Sequence, residues 1–170
     1  LYVPVYKIPD VKWKELGKHM SNIIMLSEGE EVISSFIYNK NDTYVLSTKN
    51  GMIKRTKATD FEVARCTKPM TAMKMKEDDS LIDVKKDLGH ILLVTENGYY
   101  LNYASEEVPL VGTKASGVKG INLKDDVVKN MVSYNDHYEY ITIFTDNKTA
   151  KQTKLSDLET HSRAKKGSLL

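Results

Sequence analysis

The tetrapeptide TKNG at residues 48–51 decides the fold, because it recurs at a nearly constant spacing. Related copies stand at residues 95–98 (TENG) and 145–148 (TDNK), so the successive threonines are 47 and 50 residues apart. Each copy follows a run rich in β-branched and aromatic residues, which is typical of strands. An Asn-Gly pair between two such runs favours a hairpin with a type I′ turn, in which both central residues have positive φ. The sequence therefore predicts three β-hairpins, and lysine replaces glycine in the weaker third turn.

Two further features repeat around each hairpin. Twelve and thirteen residues after each threonine stand an acidic and then an apolar residue: Asp60 and Phe61, Glu107 and Val108, and Asp157 and Leu158. Acidic turns that lead into strand-like segments occur at residues 25–32, 75–82 and 123–128. Each repeat thus contains four predicted strands in about 50 residues, a period typical of repeat architectures.

The repeats indicate an all-β, propeller-like fold. No stretch of 12 or more residues keeps a helical period of 3.6. Four-stranded sheets repeated at this spacing are blades arranged radially, which leaves only short edges. We expect one partial disc with about three repeats, cut from a longer polypeptide. Its predicted parts are the end of a preceding blade (1–20), repeat one (21–67), repeat two (68–116), repeat three (117–163) and the start of the next blade (164–170).

Composition limits the class of protein. Hydrophobic residues make up 41% of the 170 residues and charged residues 28%, as in a soluble globular domain. No apolar run approaches the roughly 20 residues that a membrane span needs. Cys66 is the single cysteine, so an internal disulfide is excluded, which favours a cytoplasmic location. The net charge of +2 means that an argument for nucleic-acid binding depends on where the charges lie.

The charges are segregated along each repeat. Acidic residues concentrate in the acidic turns, and basic residues follow the hairpin turn or lie in the connector to the next blade. Because rotated copies place equivalent positions on one rim, we predict a basic, DNA-binding belt. Its members are Lys54, Arg55, Lys57, Arg65, Lys68, Lys114, Lys119, Lys151, Lys154, Arg163, Lys165 and Lys166. The middle repeat has Leu101, Asn102 and Ala104 instead of basic residues, so we expect it to contact DNA mainly through its exit loop.

The stretch GVKGINL at residues 117–123 marks one crossing between blades. Gly117 and Gly120 allow the chain to turn at positive φ and to approach other backbone closely. Lys119 lies between them, on a corner that a phosphate could reach. A purely structural crossover with Lys119 as ordinary solvated surface fits the same residues, and the sequence leaves both interpretations open.

These motifs together resemble a known family. GVKGINL, the T-x-N-G turn with its basic strand (GMIKRTKATDFE) and THSRAKKG resemble the β-pinwheel, the C-terminal DNA-wrapping domain of the A subunits of bacterial type IIA topoisomerases. The Gly-His and Trp-Asp signals of WD40 repeats and the paired glycines of kelch repeats are missing from the sequence. YKIPDVKWKELGKHMSNI resembles topoisomerase IV of the Gram-positive type, and no QRRGG box of gyrase is present. The A subunit of DNA gyrase remains the alternative within the family.

The resemblance implies a non-catalytic, DNA-binding and DNA-bending domain that positions a segment for strand passage in decatenation and supercoil relaxation. The parent enzyme would be an ATP-dependent type II topoisomerase, an isomerase that needs ATP and Mg²⁺, whereas we expect no cofactor in this chain. Expected partners are duplex DNA without sequence preference, the N-terminal breakage-reunion part of the same polypeptide and the ATPase subunit. The expected location is the nucleoid in the cytoplasm. A propeller-like platform that recruits an acidic protein is the second hypothesis.

Other chemistry is not indicated by the sequence. His19, His90, His137 and His161 have no metal-binding spacing with one another or with Cys66, so we predict neither metal ligands nor catalytic residues. In the family, the nucleophilic tyrosine belongs to the breakage domain. Tyrosines 99, 100, 134, 138 and 140 lie in strand patterns, where we expect them to pack.

Overall fold

The computed structural model describes residues 1–63, 66 and 68–170, and its regular structure is almost entirely β. The strands are β1 (Thr43–Thr48), β2 (Met52–Lys57), β3 (Leu81–Lys86), β4 (His90–Thr95), β5 (Tyr99–Ala104), β6 (Val118–Lys119), β7 (Val128–Tyr134), β8 (Tyr140–Phe144), β9 (Ala150–Lys154) and β10 (Ser168–Leu169). Five 3₁₀ turns complete the described part, at Val5–Lys7, Met20–Asn22, Ala58–Phe61, Ser105–Glu107 and Leu155–Asp157. The predicted all-β class is confirmed. None of these helical turns is long and apolar enough to cross a bilayer.

The blades are built by exchange of strands between repeats. Blade one has the order β3-β1-β2-β6 and blade two the order β10-β5-β4-β7, while β8 and β9 form a separate hairpin. In each blade, one repeat supplies the central hairpin. One outer strand (β3 or β7) follows the next acidic turn, and the other (β6 or β10) follows the next crossing between blades. Blades one and two each hold four strands, but three successive stretches of chain supply them. The prediction of four strands within each repeat is therefore wrong for the described residues of repeats one and two, which contain β1–β2 and β3–β5. Every pairing within the blades is antiparallel.

The hairpin turns differ from the predicted type. The amide of Gly51 donates to the Thr48 carbonyl at 3.0 Å, and only the third loop residue, with φ +79°, is left-handed. Gly98 (φ +81°) and Lys148 (φ +61°) occupy the same place in the other two hairpins. This is a three-residue loop, a type I turn closed by a left-handed residue, so the prediction of type I′ turns is wrong. The recurring threonine has a role in it, because Thr48 Oγ1 accepts from the Met52 amide at 3.1 Å.

The second and third acidic turns cap the hairpins of the preceding repeat. Asp79 Oδ1 accepts from the amide of Asn50 at 2.9 Å, and Asp126 Oδ1 accepts from the amide of Asn97 at 3.2 Å. The same two oxygens also accept the amide that follows each aspartate in the chain. An amide at an exposed turn that is bound by a carboxylate is held more firmly than one bound by a neutral acceptor. The repeat of acidic residues therefore has a structural cause in the contact between successive repeats.

Apolar residues pack mainly between blades one and two. The largest buried cluster contains Val45, Ile53, Ile91, Leu93, Leu101, Tyr103, Val108, Ile121, Val128 and Met131. Its members come from both central hairpins and from the segments that cross between them. Because the sheets are hydrophobic on both faces, a blade needs neighbours on each side.

Residues 31–38, which the alternating pattern predicts as a strand, form none in the structure. β3 and β7 follow the two later acidic turns, and each pairs with the hairpin of the preceding repeat. Within the described residues, the segment 31–38 has no such hairpin beside it. Phe36 and Ile37 are accordingly 52% and 88% exposed. Without a neighbouring strand, the backbone N–H and C=O groups of this segment cannot form the hydrogen bonds of a β-sheet.

Candidate nucleic-acid interface

Lys54 is buried, contrary to its predicted place on the basic belt. Its side chain has no exposed surface, and Nζ donates to the carbonyls of Gly112 and Thr113 at 2.9 and 3.2 Å. It stands six residues after the turn threonine, where the next repeat has the equally buried Leu101. Burial lowers the pKa of the Lys54 ammonium. The ammonium holds the connector against blade one and is out of reach of a phosphate.

Arg55 also serves the fold. Its Nε donates to the Val108 carbonyl at 2.8 Å, and a terminal nitrogen lies 3.0 Å from Asp87 Oδ2. The equivalent residue of blade two, Asn102, is buried and accepts a hydrogen bond from the Tyr134 hydroxyl at 2.7 Å. The guanidinium charge is thus paired and largely enclosed, with 18% of the side chain exposed. Arg55 is therefore not the free, exposed cation that a basic belt requires, and its contact with DNA stays a prediction.

Arg163 is half-buried and fastens one connector to its neighbours. Its backbone amide donates to Glu107 Oε2 at 2.7 Å, and its Nε donates to the Glu107 carbonyl at 3.0 Å. A third bond runs from the guanidinium to the carbonyl of Lys119. Arg163 therefore acts mainly as a structural link that holds its connector next to Lys119, and less as a free cation. Arg65, the other predicted arginine of the connectors, lies outside the described residues.

The remaining predicted belt residues are lysines with exposed side chains. They are Lys57, Lys68, Lys114, Lys119, Lys151, Lys154, Lys165 and Lys166. In the part of the chain that the structure describes, none of them forms an ion pair, whereas Lys85, Lys86 and Lys129 do. Lys119 donates to the neutral Asn122 side chain at 3.3 Å, so its charge is not compensated there. Contact of these lysines with DNA remains a prediction.

Two junctions gather lysines from different repeats. We define junction one as the connector 111–116 with the crossover segment 72–76, and junction two as the connector 161–166 with the segment 119–124. Backbone hydrogen bonds join the two parts, from the Lys74 amide to Ala115 at 3.3 Å and from the Asn122 amide to Lys165 at 2.8 Å. The exposed lysines are Lys74, Lys76 and Lys114 at junction one, and Lys119, Lys124, Lys165 and Lys166 at junction two.

Three of these junction lysines are missed by the sequence reasoning. Lys74 precedes the second acidic turn, and Lys76 and Lys124 lie within the second and third, so the sequence places all three in acidic regions. A signal is nevertheless present, because Lys76 and Lys124 immediately precede the acidic run in two successive repeats. A lysine that recurs at the same position of the repeat indicates an equivalent surface site on successive blades.

Glycine is required where the crossing strand meets a blade. A Cβ added at Gly117 (φ +78°) would lie 2.3 Å from the Ile53 carbonyl oxygen. A Cβ at Gly167 (φ +83°) would lie 2.0 Å from the Tyr100 oxygen, at the equivalent position of blade two. The left-handed backbone and the close approach each exclude a side chain. The stretch GVKGINL is thus a structural crossover that also exposes Lys119 at its corner.

Groups with catalytic or metal-binding potential do not converge. Among the described residues, no three histidine, cysteine or acidic side chains are grouped so that they could hold a metal ion. The His90 ring stacks on Tyr134 at 5.1 Å, and His161 lies 3.2 Å from Glu159. Tyr100 and Tyr134 are buried as expected, but Tyr138 and Tyr140 are 57% and 46% exposed. The expected packing is wrong for the last two: within the described residues, β8 and β9 have no outer strands beside them, and Tyr138 lies in the loop before β8.

Comparison with known proteins agrees with this architecture. A family model described as DNA gyrase C-terminal domain, beta-propeller, matches residues 1–39, 42–86, 89–131 and 139–168. The A subunit of DNA topoisomerase 4 from Bacillus subtilis (strain 168) is 38% identical over 172 residues, which cover 98% of this chain and 21% of that protein. The corresponding protein of Staphylococcus epidermidis (strain ATCC 12228 / FDA PCI 1200) is 37% identical, with 98% and 22% covered.

Solved structures show the same relation. A crystal structure of the C-terminal domain of DNA topoisomerase IV superposes with a TM-score of 0.86 at 36% identity, covering 98% of this chain and 53% of that one. The DNA gyrase A C-terminal domain shares the fold, with a TM-score of 0.77 at 22% identity and 98% and 54% covered. The chain spans about a fifth of its curated relatives and about half of these solved domains. The predicted resemblance to topoisomerase IV is confirmed, and the chain belongs to the family of the DNA gyrase C-terminal β-propeller domain.

Proposed function

We propose that this chain is a DNA-binding and DNA-bending domain from the A subunit of a topoisomerase IV, and that duplex DNA lies along the two junctions. The observation that carries the proposal is the repeated exposure of uncompensated lysines at junctions one and two. The net charge of the chain is only +2, but these lysines stand together at the junctions, and the nearby carboxylates of Asp79 and Asp126 are engaged by turn amides. Its relatives, the A subunits of DNA topoisomerase 4, support the same role.

Lysine suits a contact that does not depend on base sequence. An ammonium on a flexible stem binds a phosphate as a point charge, whereas readout of bases requires planar, directional donors. Successive blades rotate about the disc axis, so equivalent junctions face successive directions. A duplex that follows both junctions must curve, and its additional phosphate contacts with the second junction offset the cost of bending.

The wider assignment follows the family of the relatives. The proposed partners are duplex DNA, the breakage-reunion part of the same polypeptide and the ATPase subunit, with the nucleoid in the cytoplasm as the location. Strand passage would need ATP and Mg²⁺ at sites in those other parts, and no cofactor is assigned to this chain. The purified chain should therefore neither relax nor cleave supercoiled plasmid. Relaxation by the pure chain would contradict a non-catalytic role.

Salt-dependent binding to a labelled duplex tests the proposal. Replacing Lys114, Lys119 and Lys165 by glutamine should reduce the slope of log K against log salt by up to about 2.7, at about 0.9 per lost phosphate contact. The matched control is Lys129→Gln, because Lys129 is also exposed but lies 3.1 Å from Glu96. We expect the control to keep the slope of the unmodified chain. An unchanged slope in the triple variant, or a strong preference for one sequence, would contradict the proposal.

A further inference from the structure

Junction two contains a groove whose lining residues differ from the equivalent residues of junction one. It lies beside the TENG turn, and Tyr99, Leu123, Lys124, Asp126 and Lys166 contribute to its walls. Tyr99 begins β5 of blade two, whereas Lys124 and Lys166 belong to the two chain segments that cross there. The groove therefore brings together an aromatic ring and two cations from three distant parts of the sequence.

Lys166 and Tyr99 form a defined pair within this groove. The Lys166 ammonium lies 4.3 Å from the centre of the Tyr99 ring and donates to the Tyr99 hydroxyl at 3.2 Å. A phenol that accepts this bond keeps its own O–H free to donate to another acceptor. Gly167 fixes the arrangement, because its backbone packs directly against Tyr100 and leaves Lys166 over the neighbouring ring.

The charges of the groove favour an anion. Among the described residues, Lys124 and Lys166 form no ion pair. Asp126 is the carboxylate on the wall, and its Oδ1 already accepts the amides of Asn97 and Val127 at 3.2 and 2.8 Å. Two cations and one engaged carboxylate leave a net positive charge beside a free hydroxyl donor. These donors are of the kind that bind a tetrahedral oxyanion, since phosphate oxygens accept from ammonium and hydroxyl groups alike.

The equivalent positions of junction one lack the pair. Met52 replaces Tyr99, directly after the turn, and Ser116 replaces Lys166, directly before the crossover glycine. Junction one thus keeps the cation Lys76 but has neither the phenol nor the second ammonium. The Tyr99–Lys166 pair thus distinguishes junction two from junction one, and it lies beside the central hairpin of blade two, whose strands contain no lysine or arginine.

We infer that Tyr99, Lys124 and Lys166 bind one backbone phosphate of duplex DNA, with the hydroxyl and both ammonium groups as donors. This inference rests on the proposed function and names a contact of blade two within it. The phosphate seat, as we call these three side chains, gives the middle repeat a contact that its strand does not provide. The contact carries no base preference, because a phosphate is identical at every step of the duplex.

Two substitutions in the full 170-residue chain separate the hydroxyl from the charge. Lys166→Gln should reduce the slope of log K against log salt by about 0.9. Tyr99→Phe should weaken binding about three- to tenfold with the slope unchanged, because a lost neutral donor releases no counterion. The double variant should lose less than the product of the two effects, since Lys166 and the hydroxyl act as one unit. Matching urea midpoints would show that the fold is kept.

The reverse experiment builds the pair at junction one. Met52→Tyr combined with Ser116→Lys should tighten binding and steepen the salt slope by about 0.9, as one added phosphate contact predicts. If the unmodified chain binds duplex DNA but both junction-two variants keep its affinity and slope, the phosphate seat is refuted and the proposed function stands. If the unmodified chain does not bind duplex DNA at all, the proposed function fails, and the seat fails with it.

Discussion

Three glycine-to-alanine substitutions separate the effects of backbone strain and close approach at the blade crossings. Gly112 has ordinary φ and no atom within 4 Å of an added Cβ, so Gly112→Ala should change stability little. It could add about 0.4–1 kcal/mol by restricting the unfolded chain. Gly98 has φ +81° and equally open surroundings. Gly98→Ala should therefore cost only the left-handed conformation, about 1–2 kcal/mol.

Gly117 adds a steric clash to the same strain. Its φ is +78°, and the added Cβ would lie 2.3 Å from the oxygen and 2.8 Å from the carbon of the Ile53 carbonyl. Backbone in a central strand cannot retreat, so β6 must leave β2, where Ile53 pairs with Val118 and Met52 with Lys119. Losing about two backbone hydrogen bonds at about 1 kcal/mol each, in addition to the strain, gives about 3–4 kcal/mol for Gly117→Ala.

Urea denaturation of the three variants provides the measurement. The midpoint should fall in the order Gly112→Ala, Gly98→Ala, Gly117→Ala, with a constant m-value because the surface exposed on unfolding is similar. Gly117→Ala should also weaken DNA binding, because the displaced strand carries Lys119. Equal midpoints for Gly98→Ala and Gly117→Ala would refute the close approach of β6 to β2. Lys148, at the equivalent position of the β8–β9 hairpin, adopts φ +61° although it is not glycine. This supports the smaller loss of stability predicted for Gly98→Ala.

Other consequences of the structure can be measured on the same chain. Burial lowers the pKa of Lys54 in the folded state, so the unfolded chain binds this proton more tightly and stability should rise as the pH increases towards about 10. Lys54→Leu, which copies Leu101, should stay folded and abolish that rise in urea midpoints measured across the alkaline range. Asp126→Ala removes the acceptor of two turn amides and should cost about 1–3 kcal/mol in the same assay. Hydrogen exchange should be fast at residues 31–38 and slow at residues 128–134, and equal protection would mean that the first segment is paired after all.

The sequence is sufficient for features that depend on neighbouring residues. Hairpins follow from a turn and its flanking strands, so the repeated tetrapeptide locates all three central hairpins. The positive φ of Gly51 and Gly98 is also predictable, although the turn type is not. A type I′ turn and the observed three-residue loop both place Asn-Gly between strands, and they differ in which residues form the first cross-strand pair next to the turn.

Features that depend on distant residues cannot be predicted in this way. Lys54 and Arg55 open a run of four polar residues (KRTK) soon after a turn, which is the pattern of a solvated strand end. A connector more than 50 residues later covers them, since Lys54 binds Gly112 and Arg55 binds Val108. The aligned Leu101 does carry a signal, because it indicates a buried position shared by both repeats rather than a missing charge in the middle blade.

Strand exchange makes each junction the joint product of several repeats. At junction two, Lys119 begins the crossing, Lys165 ends a connector more than 40 residues later, and Arg163 links that connector to Glu107 of the preceding repeat. The basic groups are therefore held by backbone contacts between blades rather than by separate flexible loops. A lysine fixed in this way loses little conformational freedom at its backbone when a phosphate arrives, so more of the electrostatic attraction remains as binding free energy. Under the proposed function, the curvature of a bound duplex would then be set by how the blades pack. Substitutions at crossover glycines should then alter DNA bending even where every lysine is retained.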